Sequence, residues 1–444
     1  MTELIAAALL IVGLTLLGTL GLTRTLFIGV LLAMAVLPRV IIEVIPPEWE
    51  HSGIADGGIV VTTYGLALVL CLLLPSPNNP LSRFQLPHIA ALVLMLVLFL
   101  GEWVPTVERW SGFLHIALAC LAWAVGSALS TALSSLDRHE RVLAIVVTAI
   151  ILIQAAAAAL QLAGLRDVGS VLTGAIDLTR INGTLGHPGT LGKVLFLLVV
   201  LLLPATRSRD LLTRRISWVG IVTAIVLIGL SFGRANFAAI AVLIGLWALL
   251  SPGRRVARRV GILALLALAA LPFIGLLLLR FEVDPSGGRR PLLLQAALNQ
   301  IAATPVFGIG PNSYVSTVSQ VDPYTTLGLP VHNSFLLALA ELGIVGVILV
   351  LFPLLALILR SASALLRRDS TPAAVAVVAA VPGIVIIGVT GWGLLADSGF
   401  MLVMFVFAFL SARIVRTPLD APDPDLAVGS HVPGVPARKV FARG

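Results

Sequence analysis

The chain has 444 residues, 59% of them hydrophobic and only 11% charged, with a mean hydropathy of +1.07. A soluble globular protein carries about 25% charged residues, so this composition excludes a soluble enzyme, a disordered chain and a nucleic-acid-binding protein. It leaves an all-α integral membrane protein. The net charge is +8, from 29 basic and 21 acidic residues, and only Lys193 and Lys439 among the basic ones are lysine.

A spanning helix needs about 20 mostly apolar residues. In chain order, runs of that kind are expected at roughly 4–22, 25–45, 58–75, 87–104, 112–133, 142–164, 190–204, 216–232, 235–250, 260–279, 333–359, 373–393 and 396–414. That makes 12–13 transmembrane helices, twelve if a pair with only a tight turn between its members counts as one. The first run lacks a positive n-region and reads as a span rather than a removed leader. Cys71 and Cys120 both lie inside apolar runs, against a disulfide framework or a cysteine-ligated metal. Residues 291–303, PLLLQAALNQIAA, read as a short amphipathic helix that Pro305 stops. The polytopic domain covers 1–416. Residues 417–444, rich in Pro and Asp, read as a disordered tail.

Basic residues mark cytoplasmic loops. One alternating set of interhelical segments, with the tail, carries twenty of them and the other set eight. The first set is therefore expected inside. The two long segments, 165–189 and 280–332, then fall on the extracytoplasmic side, together with Arg180, Arg234, Arg289 and Arg290. Arg234 has almost no loop around it, so it either snorkels to the headgroups or joins other guanidinium groups on a phosphate-bearing ligand. His332 opens the segment where the chain re-enters the membrane. It is either a proton acceptor or an interfacial histidine bonded to backbone. Asn333 either orients a substrate or caps the helix. His187, in GHPG, is a second candidate in a turn-like context.

Three patterns are set aside. GHPGTLGKV has His187 where a phosphate loop needs its first glycine and Val194 where it needs a hydroxyl. Asp423 and Asp425 sit in the Pro-rich tail. Glu282 and Asp284 are two carboxylates without further ligands for a cation. No metal is expected, and no repeat period is visible along the chain.

Four segments occur in order between apolar runs: RINGTLGHPGTLG, LSFGRAN, GGRRPLLLQAALNQIAATPVFGIGPNSY and VHNSFLLALAELGIVG. Their strongest parts are R-x-x-G-x-x-x-x-P at Arg180–Pro188, P-x-F-G-I-G-P at Pro305–Pro311, and His332-Asn333 followed by Glu341 and Gly343. Together they resemble the O-antigen ligase and O-antigen polymerase superfamily of bacterial envelope glycosyltransferases. Gly189, Gly233 and Leu294 depart from the residues usual there, and Lys193 is unexpected on that face.

The resemblance implies a GT-C-like fold with one long extracytoplasmic catalytic loop, about 280–332, in the bacterial inner membrane. It implies transfer of a glycan from an undecaprenyl-diphosphate-linked donor to a glycan, lipid or surface acceptor hydroxyl, with inversion, without a metal, nucleotide sugar or other cofactor, and with membrane lipid around it. Arg180, Arg234 and Arg290 would then stabilise the departing diphosphate, with Arg289 in reserve, and His332 would accept the hydroxyl proton. The resemblance leaves ligase and polymerase open. A lipid-linked glycan or polysaccharide transporter is the alternative from another class, though the polar candidates gather at one face rather than at the midplane.

Overall fold

The computed structural model describes residues 17–37, 40–46, 52–55, 57–136, 138–165, 180–251, 261, 290–325 and 328–414. The expected span at 4–22 lies mostly outside these residues and the one at 260–279 almost wholly so. The tail 417–444, Arg289, Glu282 and Asp284 also lie outside.

The chain is an all-α integral membrane protein. Its main helices are α1 Leu22–Ala35, α2 Thr63–Leu70, α3 Leu86–Phe99, α4 Val107–Ser134, α5 His139–Leu162, α6 Pro188–Leu202, α7 Leu211–Leu230, α8 Arg234–Leu250, α9 Arg290–Ala303, α10 Tyr314–Val318, α11 Ser334–Leu366, α12 Pro372–Thr390 and α13 Asp397–Ile414. Among the described residues seven helices are long and apolar enough to cross a membrane (α4, α5, α6 with its 3-10 extension, α7, α11, α12 and α13). Shorter apolar helices stand at α1, α2 with its 3-10 extension, α3 and α8. Each falls on one of the expected runs.

Two expected runs, 25–45 and 58–75, are only partly helical. Helix α1 ends at Ala35, and Val40–Ile45 forms strand β1, antiparallel to β2 at Ile59–Thr62. The segment VIIEVI is nearly all β-branched, and such side chains favour the extended backbone over the helix. Hydropathy alone does not separate the two.

The core is built around α6 and α13. Residues Val194 to Leu203 and Phe400 to Leu410 are buried on every side, as expected of helices that are apolar all round. Helix α13 lies along α4, α12 along α8, and α5 along α7. Lipid tails are as apolar as leucine, so helices in a membrane associate mainly through close van der Waals packing. Gly126 shows the need: a Cβ there would run into the Phe405 carbonyl of α13. The Phe27 ring of α1 stacks on Phe409 of α13 at 5.6 Å and closes the same seam.

Candidate active site

The loop between α9 and α10 locks onto a break in α11. Gly343 has φ 61 and interrupts that helix. The break frees backbone groups, and each group left unpaired in a membrane costs several kcal/mol. The loop 305–310 pairs with them. The N–H groups of Ile344 and Val345 donate to the carbonyls of Pro305 and Val306, at 2.9 and 3.2 Å. Those of Ile309 and Gly310 donate to Ala340 and Glu341, at 3.1 and 2.9 Å. Gly308, at φ 70, lies against the Glu341 carbonyl where a side chain would collide. Two glycine-containing motifs that stand far apart in the sequence are thus halves of one joint.

Glu341 completes the joint. Its buried carboxylate accepts the backbone N–H groups of Asn312 at 2.8 Å, Tyr314 at 3.2 Å and Ile54 at 3.4 Å. Arg109, at the start of α4, ties the same loop. Its Nε donates to Ser313 Oγ at 2.9 Å and its Nη2 to the Ile309 carbonyl at 2.8 Å. Burial pushes the Tyr314 hydroxyl above its ordinary range.

The joint fixes the start of α11. Asn333 is its N-cap, its side-chain oxygen accepting from Phe335 and Leu336 at 3.0 and 3.2 Å. Ser334 Oγ donates to the carbonyls of Gly391 and Trp392 at 2.7 and 2.8 Å, which pins α11 to the α12–α13 turn. His332 stands just before this cap. Its Nδ1 is buried and has no hydrogen-bond partner among the described residues. Burial, then the positive charge of Arg290, lowers its pKa below the ordinary histidine value. A hydrogen bond with the Pro330 backbone opposes this, and the charge of Lys193 adds to it. The ring is therefore neutral at pH 7, the state that can accept a proton.

The second half of the site starts from α5, whose Gln154 and Gln161 face the segment 180–187. The Gln161 amide oxygen accepts the N–H groups of Asn182 and Gly183 at 3.1 and 3.0 Å, and that of Gln154 accepts Thr184 N–H at 2.9 Å. Arg180, held buried at the head of this segment, donates from Nε to the Ser231 carbonyl at 3.0 Å. Ser231 ends α7, and Arg234 begins α8 three residues later. A cation at a helix N-terminus opposes the helix dipole, while the same N-terminus favours an anion. Arg234, α8 and Arg180 therefore point to one kind of ligand.

Helix α6 joins the two halves. Its N-cap is His187, which is exposed, and whose Nδ1 accepts Gly189 N–H at 3.0 Å. The side chain of Asn236, on α8, donates to the Gly189 carbonyl at 3.1 Å and packs on Gly192. The next residue, Lys193, extends the other way. Its ammonium lies against Gly393, in the turn that receives Ser334, within electrostatic reach of Asp397 and His332. Lys193 and Arg290 thus lie within electrostatic reach of His332, while Arg180 is bonded to Ser231, three residues before Arg234.

The candidates divide accordingly. Arg290 acts on His332, and Arg180 is bonded beside the start of the helix that Arg234 opens. His187 and Asn333 are engaged as helix caps. The sequence reading assigned no role to Lys193, although an ionisable side chain inside an apolar run is the standard signal for one. The supporting roles of Gln154, Gln161 and Arg109 also went unread. Among the described residues no group of three or more His, Cys, Asp or Glu is placed to hold a metal ion.

A family model described as O-antigen ligase matches residues 219–351, from within α7 to the middle of α11. The match includes Arg234, Arg290, His332 and both halves of the glycine joint. Arg180 and Lys193 precede it. No curated protein matches the chain.

Proposed function

We propose that this chain, a member of the O-antigen ligase and polymerase superfamily and a multi-pass membrane glycosyltransferase of that general type, moves a glycan from an undecaprenyl-diphosphate carrier to an acceptor hydroxyl at the extracytoplasmic face. What supports the reading is the place of Lys193 and Arg290 within electrostatic reach of His332, and of Arg180 bonded to Ser231 three residues before Arg234.

In this reaction the acceptor oxygen attacks the anomeric carbon as the bond to the carrier diphosphate breaks. Positive charge develops on the sugar and negative charge on the leaving group. Guanidinium groups bind phosphate oxygens two at a time and stay charged. Arg180 and Arg234, beside the α8 N-terminus, hold the diphosphate. Lys193 and Arg290 extend the positive field toward the bond that breaks. Preorganised charge of this kind, shielded from water, stabilises a departing anion without reorganisation. The unpartnered His332 Nδ1 takes the acceptor proton. Direct attack opposite the leaving group inverts the anomeric centre, and the apolar helix faces accept the polyprenyl chain. The excess of basic residues on the other set of loops supports the extracytoplasmic placement.

The test is His332→Ala. The variant should reach the membrane at the wild-type level and lose about 10²- to 10⁴-fold in transfer rate, so that lipid-linked glycan accumulates. Unchanged product would remove the base assignment. Glycan profiles of null, wild-type and variant cells also identify the unmodified acceptor, which separates a ligase from a polymerase. Linked glycan trapped on the cytoplasmic face of the null strain would favour a transporter instead.

A further inference from the structure

Three arginines line a second cationic region far from His332. Arg24, Arg138 and Arg141, with Val142 and Ile145, line an open pocket of about 410 Å³. Helix α4 measures its distance from the site above. Arg109 at one end binds the 309–313 loop, and Arg138 follows shortly after the other end. At 1.5 Å per residue the helix is about 42 Å long, so the two regions lie on opposite faces of the bundle.

The three side chains are not equivalent. Arg141 is fixed: its Nη2 and Nε both lie 2.9 Å from Asp210 Oδ2. A hydrogen bond from the Thr213 side chain, reinforced by Arg141, holds the Asp210 carboxyl down to about 2. Arg24 and Arg138 have no carboxylate partner among the described residues, and Arg24 Nε is buried without a hydrogen-bond partner. Arg138 adopts the left-handed backbone conformation at the start of α5, with no capping bond from its side chain. The nearby carboxylate of Glu140 interacts with Arg413, which also lies over the Phe409 ring at 4.9 Å. The pocket is thus left with positive charge and one buried donor, Arg24 Nε, that the described residues do not satisfy, a state that calls for an explanation.

The apolar wall narrows the choice of ligand. From Ile145 an exposed stripe of Leu152, Ile153 and Leu160 runs along α5 away from the arginines. A free anion has no use for such a stripe, whereas a lipid has both an anionic head and chains to lay along it. Basic pockets between spanning helices bind anionic headgroups on this principle, and guanidinium groups grip phosphate oxygens in pairs. We propose that the pocket binds the phosphate of an anionic membrane phospholipid, with its acyl chains lying along the exposed face of α5.

The test compares full-length protein in nanodiscs of phosphatidylcholine alone with nanodiscs containing phosphatidylglycerol. Thermal unfolding is the readout, and native mass spectrometry counts retained lipid. The wild type should unfold several degrees higher with phosphatidylglycerol and retain it. The Arg24→Gln/Arg138→Gln pair should lose at least half of that shift, and Arg24→Lys/Arg138→Lys should keep most of it. An equal shift in the glutamine pair overturns the proposal. So does a wild type indifferent to headgroup charge, and so does inorganic phosphate reproducing the shift in phosphatidylcholine, which would mark a free-anion site. If the glutamine pair does not accumulate, the wild-type and lysine arms still decide it.

Discussion

Two loops are held in place by side chains from membrane helices, and they are held differently. The 305–314 loop hangs on a single buried carboxylate, Glu341, which collects three backbone N–H groups. The 180–187 loop hangs on two neutral amides, Gln154 and Gln161. Both supports satisfy backbone donors where water is scarce. Only the second stands beside a cation assigned to the diphosphate. An amide offers the same acceptor oxygen as a carboxylate without cancelling the positive charge of Arg180. An acidic side chain is the support where the loop serves architecture, and an amide that cannot ionise where the field must stay positive.

The sharpest way to break this comparison is to remove the carboxylate. Glu341→Ala leaves three buried N–H groups without their acceptor, each costing about 1–3 kcal/mol. The protein should fail to accumulate, or unfold far below the wild type when heated in detergent. A variant with wild-type stability would show that the loop is held by other means.

Gly343→Ala attacks the same joint from the backbone side. It forces a side chain into a left-handed conformation and against the Val306 carbonyl. A loss of about 2 kcal/mol or more is expected, read from thermal unfolding and matched by an equal loss of active protein.

The other loop should respond to charge more than to stability. Gln161→Glu keeps an acceptor for the N–H groups of Asn182 and Gly183, removes the donor that Gln161 Nε2 offers to Asn182 Oδ1 and the Gly183 carbonyl, and adds a negative charge near Arg180. The lost donor should cost about 1–3 kcal/mol, less than the loss in Glu341→Ala, while KM for the lipid-linked donor rises about tenfold or more. If stability falls as far as it does for Glu341→Ala, the two loops do not differ in the way described.

The smallest effect concerns pH. The charges of Arg290 and Lys193 favour the neutral form of His332. Arg290→Gln removes the larger contribution, so the imidazole pKa rises toward its ordinary value. The acid limb of kcat/KM should then move to higher pH. Lys193→Met should move it the same way and by less. A limb that shifts in neither variant argues against His332 as the titrating base.

The sequence made some of this architecture legible through long-range pattern. Apolar length located the helices, and Pro305 ended α9 where a proline should. It failed where two signals overlap. The run Val40–Ile45 is apolar enough for lipid and β-branched enough for a strand, and only its partner at Ile59–Thr62 decides. Arg180, Arg234, Arg290 and His332 stood out as candidates because basic residues are few in the segments expected outside and because the ordered motifs carry these four. Gln154 and Gln161 were not, since a lone amide in an apolar helix has no meaning until its loop is placed. Asn333 could be read as a cap or a ligand group and His187 as a ligand group or a turn residue, and backbone geometry shows both as caps.

The break in α11 also bears on the order in which the chain is made. Ile54, Pro305, Val306, Ile309, Gly310, Asn312 and Tyr314 supply every group described here as pairing with the break or with Glu341, and all of them precede α11 in the chain. During synthesis the partners of this interrupted helix emerge before the helix does. A buried carboxylate can then enter the bilayer already matched, with no interval in which it must wait for chain yet to be translated.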